Sequence, residues 1–530
     1  LTTVDADTVT ASFDVATSVA SIVSVATTIA AAAGQTIKLT TSTDNVTGGT
    51  GHDTFEASYT SANGMTLQSA DTITGGDGND YLNVTIGAAG THQASDLTGV
   101  ETVKATFSAA GTLSLLGSAG VTHVKAAGST AAAAVTNIPL AASLEVENSA
   151  QNATFTYKAT DISGSADVAT LTLNNVTTGS TVSVAGIETL NVVSGGGGNV
   201  LTALTVAAAN TVNITGAQSL DLGAANTTSE LIDGSAVTAA LTIITNNANA
   251  ATVKTGSGDD SITSTGGTAT IVTIESGAGD DTITHTANLG STDVINGGDG
   301  TDTLVGTTAN LKALAVSATA PTITNMEAVT VSDAYVDTTS TIDVIGDIQA
   351  TGITTVTLAN VDTTAGDDIT TGDEVLVMGS GAMTLNLGGS EAGNQSHLGG
   401  TLEVQDTGTA TTDSLAIVNK ALNSTTGANV DIGDVAGAAL GKAITSTGYE
   451  SVSLDTGAGS ANTEQGFSTL TITPDAVASN VSLTLTGTNA IDIISGVSTT
   501  STGLLTINAS GLTAQAAGTT TFDLNSTTQG

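Results

Sequence analysis

Apolar and polar residues alternate along most of this chain, in short runs that glycine and asparagine interrupt. Residues 170–173 (Thr-Leu-Thr-Leu) and 204–206 (Leu-Thr-Val) are clear examples. Successive side chains of a β-strand point to opposite faces, so a two-residue period predicts strands with one buried face. The frequent threonine and valine residues also favour strands. We therefore predict an all-β chain, with strands following one another almost continuously from about residue 90 to about residue 245 and again after residue 307.

The first 35 residues carry a less definite pattern, rich in alanine and valine. Residues 15–33 fit a helix, but their β-branched content fits strands equally well. Serine and threonine interrupt this stretch, and no segment approaches the roughly 20 apolar residues of a membrane span. We therefore expect no membrane insertion. The opening residues also lack the basic segment and apolar core of a secretory signal peptide.

A glycine- and aspartate-containing unit, G-x-G-x-D followed two positions later by an apolar residue, recurs at a constant step. Its first glycines stand at 256, 277 and 298 and its final aspartates at 260, 281 and 302, so both series advance by 21 residues twice. The apolar residues are Ile262, Ile283 and Leu304. A constant step predicts stacked solenoid turns. The unit comprises Gly256, Gly258, Asp259 and Asp260, then Gly277, Gly279, Asp280 and Asp281, then Gly298, Gly300 and Asp302.

A longer form, D-x-U-x-G-G-x-G-x-D with U apolar, begins at residues 44, 71 and 293. Matches over ten positions at three places are far more specific than an isolated G-x-G. The shared positions are Asp44, Gly48, Gly49, Gly51 and Asp53 in the first copy, Asp71, Gly75, Gly76, Gly78 and Asp80 in the second, and Asp293, Gly297, Gly298, Gly300 and Asp302 in the third. The second and third copies carry an additional aspartate, Asp77 and Asp299, at a variable position of the motif.

These loops combine the residue types that a calcium site requires. Glycine permits tight turns that direct carbonyl oxygens inward, and aspartate adds a hard anionic oxygen. Ca²⁺ takes about 6–8 such oxygen ligands in loose geometry. We predict that all the glycines and aspartates of these motifs contribute to multiple Ca²⁺ sites, with Asp367 and Asp368 as a weaker candidate. The alternative is ordinary solvated turns, since glycine and aspartate also favour turns.

A second phrase, U-E-x-U, recurs outside the glycine-rich loops. It contains Glu101, Glu188 and Glu327, with looser copies at Glu145 and Glu450. Two interpretations remain open for these glutamates. Either they simply cap a strand end or face solvent, or they contribute to calcium binding.

The charge balance excludes several classes of partner. The chain carries 49 acidic and 8 basic residues, for a net charge of -41, so neither nucleic acid nor an anionic membrane surface is an expected partner. Repulsion at this density opposes compaction unless cations offset it. There is no cysteine, and the five histidines form no metal-ligand or catalytic motif. We therefore expect no enzymatic activity.

The glycine-rich loops resemble the calcium-binding repeats of RTX proteins. With the U-E-x-U phrase and the Thr/Ala/Gly-rich composition, the chain is similar to bacterial surface-layer proteins of the RTX-secreted type. The resemblance implies an elongated β-solenoid with parallel β-roll-like segments and calcium-binding loops. It also implies type I secretion, self-assembly into a two-dimensional cell-surface lattice, and attachment to lipopolysaccharide through a region not evident here. The stalk of a secreted RTX adhesin is the alternative.

We divide the chain by its motifs into four segments. Residues 1–110 form a β-rich segment with the first RTX-like motifs, and residues 111–245 form a solenoid segment. Residues 246–306 hold the calcium ladder, and residues 307–530 form a β-rich segment assigned to lattice assembly.

Overall fold

A computed structural model gives the fold of this protein. It describes residues 34–60, 64–93, 96–177, 179–206, 211–224, 229–245, 251–265, 272–286, 292–313, 321–333, 335, 352–359, 374–388, 401–406, 408–419, 443–455, 464–467, 469–487, 490–493, 497–513 and 521–522. Residues 15–33 and the candidate ligands Asp367 and Asp368 lie outside these ranges.

The chain divides into two compact units, Leu1–Ile187 and Glu188–Gly530. The described strands of the first unit are β1 (Thr36–Lys38), β2 (Asn45–Gly49), β3 (Thr54–Thr60), β4 (Gly64–Met65), β5 (Thr72–Gly76), β6 (Tyr81–Gly87), β7 (Thr91–Gln93), β8 (Asp96–Thr98), β9 (Thr102–Phe107), β10 (Gly111–Ser114), β11 (His123–Ala127), β12 (Ala133–Ile138), β13 (Ser143–Glu147), β14 (Ala153–Tyr157), β15 (Val168–Asn174) and β16 (Thr181–Ala185).

The second unit contains the remaining described strands and one short helix. The elements are β17 (Thr189–Gly195), β18 (Asn199–Val200), β19 (Ala203–Thr205), β20 (Thr211–Gly216), β21 (Leu220–Asp221), β22 (Leu231–Asp233), β23 (Leu241–Thr245), β24 (Ala251–Lys254), β25 (Ser261–Ser264), β26 (Val272–Glu275), β27 (Thr282–His285), β28 (Val294–Asn296), β29 (Thr303–Gly306), α1 (Thr308–Ala313), β30 (Thr322–Thr324), β31 (Ala328–Val331), β32 (Thr355–Leu358), β33 (Glu374–Met378), β34 (Ala382–Leu387), β35 (Leu402–Asp406), β36 (Ser414–Asn419), β37 (Ala443–Thr447), β38 (Ser451–Asp455), β39 (Glu464–Phe467), β40 (Thr469–Thr473), β41 (Val481–Gly487), β42 (Ala490–Ile493), β43 (Val497–Thr499), β44 (Leu505–Leu512) and β45 (Thr521–Phe522).

The first unit is a parallel β-solenoid, in which each strand pairs with the equivalent strand one turn later. One sheet contains β1, β3, β6, β9, β11, β13 and β15 in that order, a second contains β7, β10, β12, β14 and β16, and a third contains β2, β5 and β8. An apolar column runs through the first sheet, because Phe55, Leu82, Val103, Val124 and Leu144 pair in register and are fully buried. The short pair of β3 with β4 is antiparallel.

The second unit repeats this architecture. Its 13-stranded parallel sheet runs β18-β21-β23-β25-β27-β29-β31-β32-β34-β36-β38-β41-β44. In another parallel sheet, β17, β20, β22, β24, β26, β28 and β30 are neighbours in that order. Ile262, Ile283 and Leu304 pair in register and are buried. The apolar residue two positions after each motif aspartate is therefore a core residue, and the prediction of an all-β parallel solenoid is confirmed.

Candidate metal centre

Each motif aspartate lies immediately before a strand and binds the backbone of the preceding turn. In the second unit, Oδ1 of Asp260 accepts a hydrogen bond of 2.6 Å from the Leu241 amide. The Asp260 amide in turn donates to Oδ1 of Asp281 at 2.7 Å, and the Asp281 amide donates to Oδ1 of Asp302 at 2.9 Å. We call Asp260, Asp281, Asp302 and the residue that ends the series, Glu327, the central ladder.

The first unit contains the same arrangement. Oδ1 of Asp53 accepts a hydrogen bond of 2.6 Å from the Gln35 amide, and Oδ1 of Asp80 accepts one of 2.7 Å from the Asp53 amide. Asp53, Asp80 and Glu101 are called the N-terminal ladder. Since these carboxylates join turns that are 27 residues apart in one unit and 21 apart in the other, the motif tolerates different turn lengths.

Glutamates of the U-E-x-U phrase end both ladders, because each accepts a hydrogen bond from the amide of the last ladder aspartate. Oε2 of Glu101 accepts from the Asp80 amide at 2.8 Å, and Oε2 of Glu327 accepts from the Asp302 amide at 2.8 Å. Glu450 does the same for Asp413 at 3.2 Å. Of the two interpretations left open by the sequence, capping describes the contacts of these three glutamates. Glu145 differs, because it lies within β13 and pairs with His123 and Lys125.

The second oxygen of each ladder aspartate is unusual. It is buried and accepts no hydrogen bond of normal geometry, in contrast to Oδ1. Buried polar groups are nearly always partnered, and a buried charge without a partner costs several kcal/mol. These atoms are hard anionic oxygens of the kind that Ca²⁺ binds. They are Oδ2 of Asp53, Asp80, Asp260, Asp281 and Asp302.

Glycine leaves space beside three of these oxygens. A Cβ on Gly48 would lie 2.2 Å from Oδ2 of Asp53, and one on Gly75 would lie 2.3 Å from Oδ2 of Asp80. The corresponding distance between Gly297 and Oδ2 of Asp302 is 2.5 Å. The carboxylate therefore folds back over the first glycine of its own motif in these three copies.

Hydroxyl residues stand at this position in the other two turns. Thr255 lies near Asp260 and Ser276 near Asp281, where their hydroxyls favour the charged carboxylate. Neither completes a hydrogen bond to Oδ2, because Thr255 donates to the Ser276 carbonyl at 2.7 Å and Ser276 to the Gly297 carbonyl at 2.7 Å. The unpartnered oxygen is thus common to both forms of the motif.

Burial makes four of these carboxylates difficult to ionise without a cation. Desolvation raises the pKa of Asp281 to about 7, against the opposing effects of the Asp260 amide and the Ser276 hydroxyl. Desolvation likewise raises the pKa of Asp80, Asp260 and Asp302 above the ordinary range. A bound divalent cation would reverse this penalty. The donor set and its burial therefore fit Ca²⁺.

The stacking of turns requires most of the other motif glycines. A Cβ on Gly277 would lie 2.0 Å from the Gly256 carbonyl oxygen, and one on Gly298 would lie 1.8 Å from that of Gly277. The carbonyls of Gly256 and Gly277 accept amide hydrogen bonds from the next turn, so the loops contact one another directly. The same close approach to the preceding turn occurs at Gly76, Gly78, Gly279 and Gly300.

The remaining predicted ligands lie around the ladders in two groups. Asp259 and Asp280 are exposed and accept amide hydrogen bonds from the following turn, at 3.0 and 2.9 Å. Asp77 and Asp299 are also exposed at the loops, whereas Asp293 is buried and accepts from the Val272 amide. Two further aspartates, Asp44 and Asp71, use both carboxylate oxygens as acceptors within neighbouring turns.

Sequence reasoning missed Asp413, which occupies the same position before β36 without any glycine motif. Its Oδ1 accepts a hydrogen bond of 2.7 Å from the Gly381 amide, and its Oδ2 is buried and unpartnered. The available signal was the U-E-x-U phrase at Glu450, because Glu101 and Glu327 each follow a ladder aspartate by one turn. That relationship becomes visible only when the register between turns is known.

Comparison with known proteins gives no family assignment. No family model matches the chain, and no curated protein is significantly similar to it. Within the part of the chain that the structure describes, no helix has the length and apolar character needed to cross a membrane.

Proposed function

We propose that this protein is a calcium-dependent structural subunit of a bacterial surface layer, which assembles with copies of itself into a two-dimensional lattice outside the cell. The observation that carries the proposal is the set of buried, unpartnered Oδ2 atoms in the two ladders. A fold that repeatedly buries carboxylates with one unpartnered oxygen is destabilised at neutral pH unless cations offset the buried charge.

The ladder residues would hold Ca²⁺ through these Oδ2 atoms, with motif carbonyls as additional oxygen ligands. The ion supplies positive charge inside the turns. The protein supplies preorganisation, because hydrogen bonds to Oδ1 already fix Asp260, Asp281 and Asp302. The calcium sites therefore act as part of the solenoid core.

Charge also supports a role for calcium between subunits. A chain of net charge -41 repels its copies, and monovalent salt screens this repulsion without linking two carboxylates at contact. The exposed aspartates Asp77, Asp259, Asp280 and Asp299 lie on the same loops as the ladders. Calcium at roughly 10⁻⁴–10⁻³ M, the range in which extracellular sites commonly bind, would occupy such groups. Type I secretion and attachment to lipopolysaccharide belong to the same proposal.

Electron microscopy of the purified chain with millimolar calcium tests the lattice directly. We expect ordered sheets with calcium, and their loss on adding a chelator. Sodium chloride at matched ionic strength is the control and should produce no sheets. Isolated particles in calcium, at all protein concentrations, would favour the adhesin-stalk alternative.

A further inference from the structure

The second unit contains another acidic cluster, outside every glycine-rich motif. Asp406 ends β35, Asp413 precedes β36 and Asp475 follows β40. One carboxylate oxygen from each lies within 4.8 Å of the others. Asp413 and Asp475 are 62 residues apart in the sequence, so only the stacking of turns brings them together.

Two of these carboxylates carry a buried oxygen without a partner. Asp413 is 97% buried, being only 3% exposed, and its Oδ1 accepts from the Gly381 amide while its Oδ2 accepts nothing. Oδ1 of Asp406 accepts from the Gly408 amide at 2.7 Å, and its Oδ2 is likewise unpartnered. Two facing carboxylates of this kind must share either a proton or a cation.

Glu450 holds the segments that carry the cluster. Its Oε2 accepts from the Asp413 amide at 3.2 Å, and its Oε1 accepts from the Asp475 amide at 3.1 Å. Glu450 is itself only 6% exposed. Since both of its oxygens accept amide hydrogen bonds, Glu450 is a positioning residue that fixes the backbone on two sides of the cluster.

The neighbouring turn leaves room for two of the three carboxylates, those of Asp406 and Asp475. Gly448 has a φ of 90°, and a Cβ there would lie 2.6 Å from Cβ of Asp406 and 3.2 Å from Oδ1 of Asp475. The adjacent Tyr449 is buried, but its hydroxyl donates to the Gly379 carbonyl at 3.0 Å. The Tyr449 hydroxyl therefore donates its hydrogen bond to the backbone and not to a carboxylate of the cluster.

We propose that Asp406, Asp413 and Asp475 form a separate Ca²⁺ site in the second unit, independent of the glycine-rich loops. Three carboxylates offer only hard oxygens, which select a hard divalent cation. Ca²⁺ accepts such ligands in flexible geometry, whereas Mg²⁺ demands near-ideal octahedral geometry and usually keeps several waters.

Calorimetric titration of the metal-depleted full chain with CaCl₂ tests this site. Asp475→Asn changes an exposed residue and should preserve the fold, and Asp413→Asn changes the buried ligand. We expect each variant to lose one bound Ca²⁺ per chain, or to bind it at least tenfold more weakly. Asp161→Asn, which removes an exposed charge elsewhere, should bind as the unsubstituted chain does.

The same titration separates this site from the ladders. If Asp281→Asn leaves binding unchanged while Asp413→Asn and Asp475→Asn each remove one ion, the ladder proposal fails and this site stands. An unchanged stoichiometry and affinity in both cluster variants would overturn the site and favour a shared proton. Equal competition by MgCl₂ at the same concentration would contradict its assignment to calcium.

Discussion

The backbone amide of Asp281 donates a hydrogen bond of 2.9 Å to Oδ1 of Asp302, which lies one solenoid turn later. Oδ2 of Asp302 is buried beside it without a partner. One carboxylate thus joins two consecutive turns through one oxygen and leaves the other available to a cation. Substitutions that keep the hydrogen bond but remove the charge separate these two roles.

Asp281→Asn should change stability in opposite directions with and without calcium. Asparagine retains an oxygen that can accept from the Asp260 amide, but it lacks the buried charge. In metal-depleted protein we expect it to raise the free energy of unfolding by on the order of 1–3 kcal/mol, and in calcium to lower it. Asp281→Ala, which also leaves the Asp260 amide unpartnered, should destabilise in both conditions. Urea denaturation measures the free energy of unfolding of each variant with and without calcium. Equal effects of the Asn and Ala substitutions would contradict separate roles for the two carboxylate oxygens.

Calcium should also remove an unusual pH dependence. The pKa of Asp281 is raised by burial from 3.8 to about 7, so the metal-depleted folded chain binds more protons than the unfolded chain between these values. Its stability contribution is therefore present below pH 3.8 and is lost as the pH rises through about 7. We expect the metal-depleted protein to melt at a higher temperature at pH 5 than at pH 8, and calcium to abolish this difference. Asp281→Asn should reduce the effect, and its persistence unchanged would assign it to other groups.

Gly279→Ala tests the stacking of the loops. Gly279 has a φ of 117°, and a Cβ there would lie 2.5 Å from the Gly258 carbonyl oxygen. Gly90 has the same φ of 117°, with nothing within 4 Å of its Cβ position, so Gly90→Ala reports backbone strain alone. We expect about 1–2 kcal/mol of destabilisation at Gly90 and clearly more at Gly279. Equal losses in thermal stability would mean that the turns separate readily.

The contacts of Glu145 with His123 and Lys125 should stabilise the first unit at neutral pH and lose this effect in acid. Its hydrogen bond to His123, assisted by Lys125, lowers the pKa of Glu145 from 4.5 to about 2. The contribution is therefore present above pH 4.5 and is lost as the pH falls towards 2. After allowance for solvent screening, we expect Glu145→Gln to cost about 1–2 kcal/mol at pH 7. Denaturant titrations of both proteins should converge near pH 2, and a constant difference would exclude this mechanism.

The sequence predicts the solenoid well because its signals are local and periodic. The 21-residue step places Ile262, Ile283 and Leu304 in register, and the two-residue alternation assigns each to the buried face. The motif aspartates were predicted from the same periodicity. The sequence could not predict that Oδ1 of each aspartate accepts an amide hydrogen bond while Oδ2 has no partner. That difference depends on how closely one turn packs against the next.

A constant repeat length cannot predict contacts between turns of unequal length. Glu327 follows Asp302 by 25 residues and Glu450 follows Asp413 by 37, yet both pairs make the same hydrogen bond. No fixed spacing marks these partners. Asp475 reaches Asp413 only through the stacking of intervening strands, so neither composition nor motif identifies that cluster.

Calcium titration of the metal-depleted chain at fixed ionic strength, followed together by circular dichroism and light scattering, tests whether calcium both stabilises the solenoid and drives its assembly. We expect calcium to increase both the β-sheet signal and the scattering, and sodium chloride at the same ionic strength to increase neither. We also expect a chelator to reverse both changes. Full recovery of β-structure and assembly in sodium chloride alone would contradict the claim that calcium holds this solenoid together.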